Sequence, residues 1–567
     1  MTKTLGESMF IPIVFNTEYM DYDSRKVWYL KNLFHCKNNN WPLITHEYLK
    51  VHFSEILKGV DARFFEEFEM EPLEVSELVE VDQYFVPDEI FNNIQNRFDS
   101  RTEALTHLYT KIDPDLKVCL KDIIDSIIKK DPHVKISGIL HCLDSFKTIQ
   151  EVSNYYQAPL ISYVFSAIRK VHGYRETLYC ANISDSIFCS DQCENRYQAF
   201  TDEKTSFPVL EHRELIALLG KPRTFPLIPL MNEDPKHEIC ICAEAYSLTP
   251  QIFMKERYTD EDIFYECKNL FPLDRIVNRQ HPYKLDQLKI NRSEVKHDPA
   301  AMILSSKRVA AVSSQIVLKA MLWNRVVVMK KKTLPLSFAC ETEMNSCKKV
   351  DLAFLNYYMI CYLIPSDLMF SEDYWVWRLA SPLESEIYEK HLDYYMKKFS
   401  LSEQKLNKLD PDKRFEFILR ARGCDNHTIS NLSSVNTKGR FCYTNALSKI
   451  RIESSNSYHE YWCLNEHDGS EYVSRFSFDL DQEPSNIYFY PLEDKAGFVS
   501  IKKVARINNY DFVEPAPSDN GSYRYFCQNN GRLLLDSSLL TGQVDVEVTW
   551  AYRDIHNHSQ QMAAPIH

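Results

Sequence analysis

Residues 134–165, VKISGILHCLDSFKTIQEVSNYYQAPLISYVF, decide the fold of this chain. Residues 134–140 form a short β-rich run, and residues 146–156 place Phe146, Ile149, Val152 and Tyr156 at helical spacing. Residues 159–165 and 177–181 are further strand-like runs. Such alternation of strand and helix is the sequence form of a parallel sheet covered by helices.

Outward from this stretch the pattern repeats. After Lys221-Pro222-Arg223, the runs 225–230, 239–243, 275–279, 308–312 and 325–329 are short and apolar or β-branched, with helical or polar segments between them. The reading is two sequential α/β lobes, with binding expected beyond the carboxyl ends of the strands, in a cleft between the lobes. The first 130 residues give no clear order of elements, although 48–57 and 123–128 look helical. Residues 351–400 are helical and rich in Tyr, Trp and Leu. Ser381-Pro382-Leu383-Glu384 stands in capping-box order, and Ile387, His391, Tyr395 and Phe399 follow on one core-facing stripe. Past Lys413, Ser, Asn and Asp punctuate short alternating runs at 472–480, 487–490, 498–507 and 543–552, which read as a β-sandwich. Asn530-Gly531 is a strong hairpin signal. The expected architecture is therefore α/β, with two Rossmann-like lobes at 1–220 and 221–350, closing helices at 351–412 and a β-rich module at 413–567.

Composition sets the bounds. The chain has 567 residues, 44% hydrophobic and 26% charged, enough for two or three cored domains and against wholesale disorder. The only early apolar run, 9–15, is too short for a signal peptide or a spanning helix, so the expectation is a cytoplasmic protein whose sixteen cysteines are thiols. No C-x-x-C pair occurs, and no metal site is expected. A net charge of -13 disfavours nucleic acid as a partner, and Lys330-Lys331-Lys332 reads as a solvated loop. Only twelve glycines are present and none forms G-x-G, which excludes the dinucleotide fingerprint and the P-loop. Any nucleotide phosphate must be held by backbone N–H groups, hydroxyls and basic side chains.

Two motifs suit that task. The run 275–279 leads into Gln280-His281-Pro282, where proline stops the ladder and leaves an imidazole at a strand's carboxyl end. The run 308–312 leads into Ser313-Ser314-Gln315 and a helical stretch through Leu322, offering hydroxyls and unpaired N–H groups to an anion. Serine is equally a routine N-cap, and a histidine before proline is often a plain loop residue. Asp21-x-Asp23 and Asp479-x-Asp481 read as surface turns.

The order RIVNRQHP, KRVAAVSSQIVLKAMLWNRVVVM and YLIPSDLMFSEDYWVWRLASPLESEIYEKHL resembles the nucleotide-binding lobe and closing helices of bacterial Kdo transferases that use CMP-Kdo. It is most similar to the retaining β-Kdo transferases of O-antigen chain termination, and more distantly to capsule Kdo transferases and bacterial sialyltransferases. The resemblance spans roughly residues 134–400. It implies a GT-B-like pair of lobes, the first taking the acceptor and the second CMP-Kdo as donor substrate, without a further cofactor. It implies that His281 and Pro282 contact the CMP part, that Ser313 and Ser314 meet its phosphate, and that Gln315 lies beside them. It also implies double displacement through an aspartate after the first strand of the second lobe. In FPLIPLMNEDPKHEICICA that is Asp234, with Glu233 as the fallback. In ISYVFSAIRKVHGYRETLY, Arg169 matches a family arginine, but Val164 stands where an acidic residue often precedes it, leaving Glu176 as the candidate acid/base. Lys319 and Asn324 also depart from the expected acidic or small residues. The implied partners are a nucleotide sugar and a glycan or lipid-linked glycan acceptor, met at the inner face of the cytoplasmic membrane by peripheral association. A sialyltransferase-like enzyme and an inactive carbohydrate-binding protein are the alternatives.

Overall fold

The computed structural model describes residues 8–15, 22–51, 81–142, 146–170, 174–184, 186–204, 207–232, 234–242, 258–279, 299–398, 401, 408–424, 426–433, 447–454, 457–467, 471–480, 484–491, 497–505, 509–513, 523–526, 532–536 and 542–553. The chain groups into two compact units, each assembled from separated segments. The first takes Met1–Leu215, His237–Ser293 and Lys307–Leu409, and the second Ile216–Lys236, Glu294–Ser306 and Asp410–His567. No helix among the described residues is long and apolar enough to cross a membrane.

The first unit opens with strands β1 (Ser8–Val14), β2 (Leu43–His46), β3 (Gln83–Val86), β4 (Lys135–Cys142), β5 (Leu160–Phe165) and β6 (Leu178–Ile183). The apolar run that begins the chain is β1, which lies between β2 and β4 and is buried throughout its described side chains, as a parallel strand covered on both faces must be. Strands β3-β2-β1-β4-β5 are all parallel. The expectation of a wholly parallel sheet fails at β6, which runs antiparallel to β5. There Ser166 N donates to Leu178 O at 2.9 Å and Leu178 N to Ile168 O at 3.0 Å, so the chain doubles back directly instead of crossing over.

Helices cover both faces. One core gathers Ile11, Ile13, Ile139, Leu116, Leu120, Ile124, Phe146 and Ile149. The Pro114–Lys130 helix shows how its sequence builds that layer. Asp113 caps it by accepting from Leu116 N at 3.1 Å, proline occupies the first turn, and Leu116, Leu120, Ile124 and Ile127 form the buried stripe. Each such buried side chain contributes roughly 1.5–3 kcal/mol. The opposite face packs Tyr29, Leu33, Trp41, Tyr163 and Trp375 from the Tyr22–Asn39 and Glu372–Leu379 helices and the sheet.

Four further strands, β7 (His237–Cys242), β8 (Ile276–Arg279), β9 (Ser306–Ala310) and β10 (Val326–Val328), form a second sheet in the order β10-β9-β7-β8. The β7–β8 and β9–β10 pairs are parallel. The expected strand at 225–230 is instead part of a 3-10 segment, Pro222–Asn232, because Pro226 and Pro229 cannot donate to a ladder. Beyond this sheet, β11 (Ile364–Pro365) returns to the first one and pairs antiparallel with β6. The Glu384–Lys398 helix buries Ile387, His391 and Tyr395, as the stripe predicts, while Phe399 lies outside the described residues.

The second unit carries the sandwich. Its first sheet is β13 (Ser457–Leu464), β12 (Leu447–Ser454), β16 (Asn486–Tyr490), β20 (Arg532–Leu535) and β18 (Tyr510–Val513) in that order. Its second is β14 (Glu466–His467), β15 (Tyr472–Leu480), β21 (Gly542–Arg553), β17 (Gly497–Ala505) and β19 (Arg524–Phe526). All pairings among the described residues of these sheets are antiparallel, and Ile450, Ile452, Phe489 and Leu533 of one sheet share a core with Phe476, Phe478, Val546 and Trp550 of the other. Asn530-Gly531 lies outside the described residues, yet the strands on either side of it, β19 and β20, belong to different sheets and do not pair. Arg422 secures the turn after the His212–Leu219 helix, donating to Leu218 O at 2.5 Å and Gly220 O at 2.6 Å.

Candidate functional site

The order of the second sheet locates its binding edge. From β7 the chain adds β8 on one side and β9 then β10 on the other, so the order reverses between β7 and β9. At such a switch point the connections leave in opposite directions and open a crevice beyond the carboxyl ends. The amino ends are tied together, since Lys307 and Arg308 of β9 reach Glu238 of β7 at 2.7 and 3.1 Å. Those charges hold the Glu238 carboxyl below its usual range: the Lys307 ammonium does most of it, against the opposing effect of burial. The carboxyl ends lie at the opposite edge of the sheet.

Ser313, Ser314 and Gln315 sit on that edge, immediately after β9. The loop is fixed by Ala311 N donating to Val328 O at 3.3 Å and by Thr333 Oγ1 donating to Val312 O at 2.6 Å. Ser313 is buried, and Ser314 and Gln315 are half-buried. The helix that follows, Val317–Leu322, has Ile316 at its cap position and receives no side-chain capping bond. The serines do not cap it, and a helix of six residues supplies little field of its own. The loop carries two serine hydroxyls and a glutamine amide at this edge.

This helix also touches the first lobe. Lys319 is buried and its Nζ lies 5.7 Å from the ring centroid of Tyr174. Tyr174 belongs to the 166–177 connection, which carries Arg169 and Glu176. Tyr174 N donates to Arg169 O at 3.3 Å, and the half-buried Arg169 guanidinium lies 5.5 Å from the Phe165 ring centroid. Glu176 is 1% exposed. Its Oε2 accepts from Lys398 Nζ at 2.5 Å and from Tyr394 Oη at 3.0 Å. The same two groups reach Asp367 at 3.3 and 2.6 Å. Burial drives the Tyr394 hydroxyl above its usual range, and the two carboxylates reinforce it. Burial alone would raise Asp367, but the Tyr394 hydroxyl and the Lys398 ammonium outweigh it and hold the carboxyl low. Glu176 therefore ties the connection to the Glu384–Lys398 helix, an engagement that an acid/base would have to break.

The remaining expected residues are distributed differently. His281, Pro282 and Glu233 lie outside the described residues. Asp234 is exposed and comes before β7 in the chain, not after a strand, because the segment ahead of it is 3-10 helical. Sequence reading missed Asn278, three positions before His281. Asn278 is 7% exposed on β8, and among the described residues neither its Oδ1 nor its Nδ2 has a hydrogen-bond partner. A buried amide without partners at a strand's carboxyl end is an exception among buried polar groups. The Asn that follows Ile276-Val277 in this strand was the available signal.

No family model matches the chain, and no curated protein matches it. Among solved structures it is similar to Thermosulfurimonas dismutans KpsC, beta Kdo 2,7 transferase, at 13% identity over 46% of this chain and 89% of that one, with a TM-score of 0.30. A second structure, Thermosulfurimonas dismutans KpsC, beta Kdo 2,4 transferase, is similar at 12% identity over 41% and 86%, with a TM-score of 0.25. Methanocaldococcus jannaschii UDP-GlcNAc 2-epimerase in complex with UDP-GlcNAc and UDP is similar at 12% identity over 59% and 89%, with a TM-score of 0.26.

Proposed function

We propose that this chain is a glycosyltransferase that moves Kdo from CMP-Kdo to a cell-surface glycan with retention, in the manner of the O-antigen chain-terminating enzymes its motifs resemble. The observation that carries the reading is the Ser313-Ser314-Gln315 loop at the β7/β9 switch point, on the edge where open sheets bind nucleotides without needing glycine. The loop takes the donor phosphate, and His281, Pro282 and the open Asn278 amide serve the remainder of CMP. Arg169 and Lys319 supply positive charge beside it.

Retention follows from two inversions. A carboxylate attacks the anomeric carbon, the bond to the phosphate oxygen breaks, and CMP leaves with the electron pair. The acceptor hydroxyl then attacks from the opposite face, loses its proton to a base, and releases the carboxylate. The topology bears on which carboxylate this is. Asp234 and Glu233 precede β7 in the chain, whereas Glu244, outside the described residues, is the first carboxylate after it in the sequence. We therefore rank Glu244 ahead of Asp234 and Glu233.

CMP, but not UDP, GDP or ADP, should raise the thermal midpoint, and Ser313→Ala/Ser314→Ala should weaken CMP binding about tenfold or more with the fold intact. Incubation with CMP-Kdo should add one sugar mass to the intact protein, and peptide mapping should place it on 243–257. Glu244→Gln should abolish both adduct and turnover. An adduct on Asp234 or Glu233 would correct the residue and keep the mechanism. Absence of any CMP effect would end the reading.

A further inference from the structure

A second site lies in the first unit, away from the serine loop. The strand residue Ile183, the helical residues Gln192 and Arg196, and Trp375 and Arg378 of the Glu372–Leu379 helix line an open pocket with about 330 Å³ of empty space, its solvent mouth included. Two guanidiniums face it, each with a side chain only 15% and 11% exposed. Arg196 is committed in part: its Nε and one Nη donate to the two oxygens of Glu384 at 2.8 and 3.0 Å, and its plane lies 4.7 Å from the Tyr362 ring centroid. Arg378 is not. Its closest anion is the same carboxylate at 3.6 Å, and among the described residues its guanidinium makes no hydrogen bond.

The charges do not balance. Glu384 faces both arginines and also accepts from Tyr357 Oη at 3.1 Å, so one carboxylate answers two cations. The neighbouring carboxylates are occupied elsewhere. Glu203 accepts from the backbone N–H groups of Glu384 and Ser385 at 3.1 and 2.8 Å, and Glu372 accepts from Trp41 Nε1 at 3.2 Å. A guanidinium has five N–H donors, and those of Arg378 that no protein group accepts are presented to the pocket, where a ligand oxyanion can take the place of water. The frame around it is rigid. Tyr362 donates to Asn182 at 2.6 Å, and His391, whose Nδ1 donates to Ile360 O at 2.8 Å, must accept from Tyr374 Oη at 2.9 Å through its other nitrogen. Burial pushes His391 down to about 3, so it stays neutral and adds no charge of its own.

We propose that this pocket binds the oxyanion of a small ligand, a carboxylate or a phosphate monoester. Arg378 gives the paired N–H donors, the free Nη of Arg196 adds a third, and Trp375 with Ile183 takes the ligand's carbon skeleton. Planar, two-toothed recognition of an oxyanion is what a guanidinium does and an ammonium does not. The site is independent of the donor reading, since none of its residues lies on the serine loop.

Calorimetry on the full chain tests it with three probes: inorganic phosphate, glucuronate and the neutral methyl ester of glucuronate. One or both anions should bind saturably and the ester should not, and which anion binds distinguishes phosphate from carboxylate. Arg378→Gln should weaken that binding about tenfold or more, Arg378→Lys should restore part of it, and CMP binding should be unchanged in both. Mapping phenylglyoxal modification of the wild type gives a readout that needs no variant: the bound anion should protect Arg378. Failure of both anions to bind, equal binding by Arg378→Gln, or an Arg378 that the anion leaves unprotected would overturn the proposal.

Discussion

Glu384 shows how one side chain can be claimed by the wrong local rule. Its place in Ser381-Pro382-Leu383-Glu384 predicts a carboxylate turned back to cap its own helix, but Ser381 adopts a left-handed φ of 59° and Glu386 takes the capping role, accepting from Leu383 N at 2.7 Å. Glu384 is drawn instead to the buried Arg196. Burial would raise its pKa, yet Arg196 and then Arg378 hold it below the ordinary 4.5. The sign follows directly: a carboxyl depressed in the folded state adds stability above its unfolded pKa, and that stability disappears as pH falls through the lower folded value. Glu384→Gln should therefore cost about 3–5 kcal/mol at neutral pH, because it leaves buried guanidiniums uncompensated. The gap between variant and wild type should be full above pH 4.5 and shrink below it. Denaturant midpoints measured from pH 7 to pH 3 check this, and a gap independent of pH would mean that the pairing does not set the acid limit.

At the scale of elements, the helix ending at Leu219 leaves carbonyls that need donors, and Arg422 from a distant part of the chain provides them. Arg422→Met should lower stability by about 3 kcal/mol, with Arg422→Lys recovering some of it. Thermal unfolding measures this, and a loss below about 0.5 kcal/mol would show that water replaces the guanidinium. The same scale shows what the sequence can disclose. The β4, β5 and Lys147–Tyr155 elements fall within two residues of the runs that announce them, since periodicity and burial there agree. The apolar run Met9–Phe15 was legible only as too short to span a membrane, because a fully buried parallel strand has no alternation to distinguish it. The run 225–230 was apolar enough for a strand, and its prolines, not its hydrophobicity, decided against it. At the site, Ser313-Ser314-Gln315 could be read from its place after a strand. The Glu176–Lys398 ion pair and the Arg196/Arg378 pocket could not, since their members lie 222 and 182 positions apart and only the fold joins them.

For the whole molecule, the second unit is assembled from separated segments of the chain. Ile216–Lys236 and Glu294–Ser306 belong with Asp410–His567. Cutting after Leu409 removes the partners of Leu218, Phe225, Leu227 and Ile228, all buried in the full chain. A chain ending at Leu409 should therefore aggregate or bind hydrophobic dyes. Residues 447–553 alone contain every member of the sandwich core, and should give a monomer with cooperative β-type circular dichroism. Gel filtration and dye binding decide both, and a well-behaved 1–409 fragment would mean that unit 1 shields the segment by itself. The interleaving of segments also sets a timetable at the ribosome. Ile216–Lys236 emerges about 170 residues before Asp410, a delay of roughly 10–35 s at ordinary elongation speeds. Throughout that interval a nascent, proline-rich, apolar segment waits without its cognate surface, so slowing translation should lower the soluble yield of the full chain and co-expressed holdase chaperones should restore it.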